Sequence, residues 1–241
     1  NALMLKNRRI GLSQTGVVQA FNKFGRRAMY EWCDNAYDHV KELDEEYSDW
    51  LCIPRSVRMT SIKPSGTVSL LNGSTPGIHF PEDEYYIRRI RFAKDSQLIT
   101  PLREAGYKIE DDKYSPNTLC VEFPVKEPHF QKGKRDVSMW EQLEIAAQYQ
   151  HYWADNSVSI TVTFKPDEAH QIKDALEMYE TRLKAVSFLR YEETGYEQAP
   201  YEPITKEQYE EMIKNVTPIQ RVDTDEGGIG SKFCTNDTCE I

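Results

Sequence analysis

Between residues 57 and 73 the chain changes period abruptly, and that change limits the architectures it can build. Residues 57–62 alternate in polarity, as a half-buried strand does. They run directly into Lys63-Pro64-Ser65-Gly66-Thr67, where Pro64 suits the first position of a helix and Gly66 leaves the backbone approachable. The stretch up to Gly73 then reads as a short helix. Other segments repeat the mixture. Strands are expected at 85–92, 117–124, 157–164 and 185–191, the third being the richest in β-branched residues. Helices are expected at 9–24, 28–51, 96–105, 139–153, 166–183 and 205–214, the last opened by a capping box of Thr205 and Gln208. Strands alternating with helices argue for an α/β domain with some parallel pairing.

Beyond Pro218 the character changes. Acidic residues and the glycines at 227, 228 and 230 replace the apolar pattern, so residues 1–217 are expected to form the domain and 218–241 a flexible tail. The chain opens on Asn1 and not on methionine, as a processed chain or the second half of a longer polypeptide would. No apolar run is long enough for a bilayer span, and no signal peptide is visible; a soluble, cytoplasmic protein is expected, with no membrane partner. A net charge of −9 argues against general nucleic-acid binding. The basic runs at 88–91 and 132–135 read as solvated faces.

Any anion must therefore be held by local geometry. Ser65, Thr67 and Ser69 offer hydroxyls, Gly66 admits a ligand to the backbone, Lys63 adds charge, and a helix start presents free N–H groups. The same pattern also describes an ordinary capped helix after a strand. It is not a Walker loop, because the G-x-x-x-x-G-K spacing is absent.

Five cysteines without a signal peptide do not make a secreted disulfide scaffold. Cys33, Cys52 and Cys120 sit among apolar or aromatic neighbours and read as inert core thiols. Cys234 and Cys239 are different, being close together in the tail. Their spacing lets a disulfide close, and a thiol pair on a flexible arm can reduce a buried disulfide by exchange. Incidental cysteines in a disordered tail, or half of a zinc site, are the alternatives. No further ligands complete such a site, and no metal is expected.

Thr60-Ser61-Ile62-Lys63-Pro64-Ser65-Gly66-Thr67-Val68-Ser69, followed by Gly73-Ser74-Thr75-Pro76-Gly77-Ile78-His79, resembles the substrate-phosphate loop of ribonucleotide reductase large subunits. Residues 7–16 resemble the helix that precedes that loop, and residues 156–164 and 183–190 resemble late barrel strands, all in the family's order. The resemblance implies the C-terminal part of a ten-stranded α/β barrel. It implies that Pro64, Ser65, Gly66, Thr67 and Ser69 hold the substrate's phosphates, with backbone near Gly77 and Ile78 lining the nucleotide site. It also implies that Cys234 and Cys239 re-reduce an active-site disulfide and are recharged by thioredoxin or a similar reductant.

The tail cysteines look like those of the monomeric, adenosylcobalamin-dependent type, which acts on ribonucleoside triphosphates. Val186 and Ser187 stand where oxygen-dependent relatives carry a tyrosine pair, and the glycines of the tail lack the glycyl-radical context. Adenosylcobalamin is thus the implied radical source, its cobalt–carbon cleavage yielding a thiyl radical. Tyr85-Tyr86 reads as packing. The family's radical cysteine lies on barrel elements preceding those matched, so activity is expected only with the N-terminal half. The alternatives are a diphosphate-specific or oxygen-dependent reductase, a nucleotide-binding regulatory module of the same fold without catalysis, and a redox adaptor unrelated to nucleotides.

Overall fold

Two kinds of strand pairing divide the molecule. The computed structural model describes residues 2–66, 68–191 and 197–219. The elements run α1 (Ala2–Asn7), β1 (Arg9–Leu12), α2 (Val17–Phe24), α3 (Arg26–Trp50), β2 (Arg58–Thr60), β3 (Tyr85–Ala93), α4 (Ile99–Glu104) and β4 (Lys108–Asp111). There follow β5 (Thr118–Lys126), α5 (Met139–Tyr152), β6 (Thr161–Phe164), α6 (Ile172–Tyr179), β7 (Ser187–Arg190), β8 (Tyr201–Pro203) and α7 (Lys206–Ile213).

The parallel part carries the loop. β1 lies beside β2, with Leu12 opposite Thr60. Just past β2, Ile62 bridges in parallel to Val158, and β6 lies parallel to β7 from Thr161 opposite Ser187 to Phe164 opposite Arg190. Two bonds join these pairs: Asn156 N–H donates to the Thr60 carbonyl (3.0 Å) and Ser159 N–H to the Ile62 carbonyl (2.9 Å). Parallel strands need cover. Val17, Val18 and Phe21 of α2, Cys33 of α3 and Leu143, Ile145 and Tyr149 of α5 form one core with Ile62, Val158 and Val162. Helix α5 buries residues on several sides, from Met139 to Tyr149, as a central helix must.

The antiparallel part is a four-stranded sheet in the order β4-β5-β3-β8. β3 and β5 pair along their whole length, from Tyr85 opposite Lys126 to Ala93 opposite Thr118. Ile99, Leu102 and Val121 form a small core on it. Tyr85 packs on Tyr209 and Tyr86 on Tyr201, so the tyrosine pair is packing, as its sequence position suggests.

Several expectations need correction. Residues 9–12 are a strand, not the first turns of the helix ending at Phe24. Gly16, at φ 72°, stands in the left-handed region and separates the two, and β2 gives the segment a parallel partner. Residues 166–183 are not one helix: Pro166–Gln171 winds as a 3-10 turn before α6. The Glu168 carboxylate holds that turn by accepting from Lys165 N–H (2.8 Å) and Met139 N–H (3.0 Å). Residues 88–91 are not a solvated face. Arg89 is 8% exposed, donates to Glu122 at 2.8 Å directly across the sheet, and also reaches Glu202. Arg91 pairs with buried Asp112, and Arg88 stacks on Tyr201. Cys33 and Cys120 are buried free thiols, but Cys52 is exposed at φ 51° just after α3. The strands at 108–111 and 201–203, and the short helix α1, have no counterpart in the sequence reading. No helix among the described residues is long and apolar enough to cross a membrane.

A buried ion pair is costly to break and cheap to replace. Arg89→Met should lower stability by about 3 kcal/mol, because Glu122 keeps only Lys108 as a cationic neighbour. Arg89→Met combined with Glu122→Met should recover most of that loss, read by urea unfolding followed by circular dichroism.

Candidate functional site

The loop after β2 is built by two segments held back to back. The chain leaves β2 through Lys63, Pro64, Ser65 and Gly66, turns at Gly73 (φ 63°) and returns through residues 74–78. The return passes so close beneath the exit that a Cβ on Gly77 (φ 52°) would lie 2.5 Å from the Lys63 carbonyl oxygen. Only glycine meets both demands. The stretch before α2 and its first turn clamp the return segment. Gly16 N–H and the Thr15 hydroxyl both donate to the Thr75 carbonyl (2.8 Å each), and Gly77 N–H donates to the Thr15 hydroxyl (3.1 Å). Gln19 accepts from Thr75 N–H (3.2 Å) and donates to the Gly73 carbonyl (3.2 Å). Lys63 N–H donates to the Ser13 hydroxyl (2.9 Å), which fixes the exit as well.

A cavity of about 300 Å³ opens in front of the loop. Pro64, Gly66 and Thr75 line one side of it, and His79, Glu127 and Lys134 line the other. Ser65 is half-buried at φ 54°, and its carbonyl accepts from Ser69 N–H (2.9 Å). Ser69 lies beneath the loop, 0% exposed, with no partner for its hydroxyl. Ile78 belongs to the main core, and the Gly77 N–H is already engaged. Thr67, Cys234 and Cys239 lie outside the described residues. The structure therefore brings Pro64 and Gly66 to the cavity, leaves Ser65 between them outside its lining, and keeps Ser69 and Ile78 inside. Val68–Asn72 is a short 3-10 stretch, so few peptide dipoles align there. Hydroxyls and local N–H groups carry more of any anion attraction than the expected helix start would.

Sequence reasoning did not single out the far wall. His79 Nδ1 sits 3.1 Å from the Pro76 carbonyl, which can only accept, and Nε2 sits 3.1 Å from Thr161 N–H, which can only donate. The ring is therefore neutral with its proton on Nδ1, and burial holds its pKa below the ordinary histidine value. It ties the loop to β6. Lys134 donates to Glu82 at 3.0 Å and lies over the Tyr201 ring. Glu127, 4% exposed, accepts from Gln19 Nε2 and from the Tyr86 hydroxyl (3.4 Å), and burial pushes its carboxyl up to about 7. His79 and Lys134 stood in segments the sequence reading quoted, the loop motif and the basic run. Glu127 has its partners 41 and 108 residues away, so nothing local marks it.

A hydroxyl- and glycine-rich loop at the end of a parallel strand, beside an open cavity, is the layout of a nucleotide-phosphate site in an α/β enzyme. No family model matches the chain. The chain is 44% identical over its whole length to a probable adenosylcobalamin-dependent ribonucleoside-triphosphate reductase of Dictyostelium discoideum, covering 33% of that protein. It is 44% identical over 99% of its length to the adenosylcobalamin-dependent ribonucleoside-triphosphate reductase of Euglena gracilis, covering 34% of it. A crystal structure of a B12-dependent (class II) ribonucleotide reductase superposes with a TM-score of 0.80 and 35% identity, over 90% of this chain and 34% of that one. Over nearly its whole length the chain is similar to adenosylcobalamin-dependent, class II ribonucleotide reductases. It spans about a third of the length of the curated relatives it matches.

Because folded His79 titrates below its unfolded value, its contribution is complete above the ordinary histidine pKa and is lost as pH falls through the lowered one. The thermal midpoint of His79→Gln, whose amide can donate and accept in the same places, should approach or exceed that of the unsubstituted protein as pH drops below about 6.5. A difference between the two that does not change with pH would show that the ring is not held neutral.

Proposed function

We propose that this chain is the C-terminal part of an adenosylcobalamin-dependent ribonucleoside-triphosphate reductase, and that it supplies the substrate-phosphate loop and the shuttle thiols. The observation that carries this reading is the clamped loop whose Pro64 and Gly66 line the cavity, in a chain that aligns along its whole length with such reductases. The relatives are named as triphosphate reductases, which favours a triphosphate over a diphosphate substrate. In this reading Ser65, Gly66 and Thr67 hold the phosphates directly. Ser69 and Gly77 shape the loop from beneath, and Ile78 anchors it in the core.

The reaction replaces the 2′-hydroxyl of the ribose by hydrogen, releases water and oxidises two thiols to a disulfide. Cys234 and Cys239 would return the electrons by exchange and be recharged by thioredoxin or a similar dithiol protein, as a cytoplasmic setting allows. When bound, adenosylcobalamin supplies the radical. Among the described residues no cluster of His, Cys, Asp or Glu converges as a metal site does, and His79 has both nitrogens engaged. No cobalamin contact is assigned to these residues. Val186 packs against the core and Ser187 begins β7, and neither side chain can relay a tyrosyl radical.

Deoxyribonucleotide formation should require this chain together with the remaining two-thirds of the reductase, fused or separate, plus adenosylcobalamin and a dithiol. No product from a folded, associated mixture would favour a binding module of the same fold. In the active assembly, Ser65→Ala with Thr67→Ala should weaken nucleotide binding about tenfold, since each lost hydrogen bond to a charged group is worth roughly 1.5–3 kcal/mol less any water replacement. Unchanged affinity would refute the phosphate site. Cys234→Ser should stop multiple turnovers with thioredoxin but not with a small dithiol, which reaches the buried disulfide directly; sustained turnover with thioredoxin would remove the shuttle role.

A further inference from the structure

The mechanism above makes no use of the buried carboxyl on the far wall of the cavity. Glu127 follows the last residue of β5, and its backbone is fixed there by Glu127 N–H donating to the Glu84 carbonyl (2.8 Å). Its side chain is 4% exposed and has no cation among its bonding partners; it accepts only from an amide and a phenol. The amide is that of Gln19, whose other bonds all go to the phosphate loop. Gln19 Oε1 accepts from Thr75 N–H, and Nε2 donates both to the Gly73 carbonyl and to Glu127.

A carboxamide can sit either way round, and its neighbours decide which. Turned over, Gln19 would set its oxygen against the Gly73 carbonyl and its NH2 against Thr75 N–H. Glu127 accepts on the side where the NH2 must lie, and so holds the amide in the one orientation that bonds the loop at both points. We propose that Glu127, acting through Gln19, is a positioning residue that sets the return segment of the phosphate loop for nucleotide binding. The proposal rests on the phosphate-loop reading above.

The charge state of Glu127 gives a signature that plain scaffolding would not. The other titratable groups lining the cavity are Tyr86 on β3, His79 and Glu82 before it, Lys134 after β5 and Tyr201 on β8. His79 is neutral, and Lys134 is matched by Glu82. Protonated Glu127 still accepts from Gln19 through Oε1 while its proton goes to the Tyr86 oxygen, so the brace survives. Ionised Glu127 also keeps the brace but leaves an unmatched negative charge in a cavity meant for a polyanion. Burial places the change at about 7. Nucleotide KM should therefore rise as pH climbs through that value.

The test is initial-rate kinetics of the assembled reductase with a ribonucleoside triphosphate, between about pH 6 and pH 8.5. Glu127→Ala and Gln19→Leu should each raise KM about tenfold with kcat changed less than about twofold, the pattern of lost ground-state binding. Glu127→Gln, which can accept from Gln19 and donate to Tyr86, should rescue KM and abolish its rise at alkaline pH. Unaltered KM in Glu127→Ala and Gln19→Leu, while Ser65→Ala with Thr67→Ala raises it, would overturn the brace and leave the phosphate site standing. If the serine–threonine variant is silent too, both fall. A drop in kcat at constant KM would also overturn the proposal. Should Glu127→Ala fail to fold, judged by circular dichroism, the pH profile of Glu127→Gln decides: a rise identical to that of the unsubstituted enzyme refutes the role.

Discussion

The loop depends on a strand of three residues, and that strand depends on Asp155. Alone, Arg58–Thr60 makes too few ladder bonds to hold a rigid exit. Asp155, just past α5, supplies what the ladder lacks. Its carboxylate accepts from Met59 N–H (3.1 Å) and Thr60 N–H (3.2 Å), and from the Tyr37 hydroxyl of α3 (3.3 Å). Thr60 answers from the other side. Its buried hydroxyl donates to the Trp153 carbonyl (2.5 Å) and accepts from Asp155 N–H (3.1 Å). The Trp153 indole then donates to the Ser61 carbonyl (3.0 Å). Each buried polar group in this knot finds its partner in another member of it, so β2, α3 and the end of α5 are fixed together. The loop inherits its position from that union, and the clamp from α2 adds only the return segment.

How much of this the sequence discloses depends on the range of the interaction. β3 and β5 were readable because alternation is a local signal and both strands are long enough to show it. α7 was readable because Thr205 and Gln208 cap each other across one turn. β1 was not, since its residues are all exposed and its strand partner lies 49 positions away, from Arg9 to Arg58. The basic run at 88–91 misled for the same reason. Charge is visible in a sequence, but the acid opposite Arg89 is fixed by strand register. The hydroxyl- and glycine-rich loop could be picked out because its residues are contiguous. Its distant supports could not, because Gln19 and Glu127 meet it only after the chain has folded.

The proposed phosphate site lies in a chain of net charge −9. Its lysine is committed to Glu82 and to the face of Tyr201, and its histidine is held neutral by two backbone groups. Free cationic charge is therefore not what the described wall offers. What it offers is polar groups fixed before a ligand arrives: the backbone opened by Gly66 and the unpaired buried hydroxyl of Thr75. Groups already oriented need no reorganisation on binding, so their worth depends on how firmly the loop is held. That makes the supports functional in their own right. Gly77 beneath Lys63, Thr15 and Gln19 on the return segment, and Asp155 behind β2 each govern where the loop's cavity-facing groups lie. A substitution among them should act on nucleotide binding before it acts on the chemistry at the ribose.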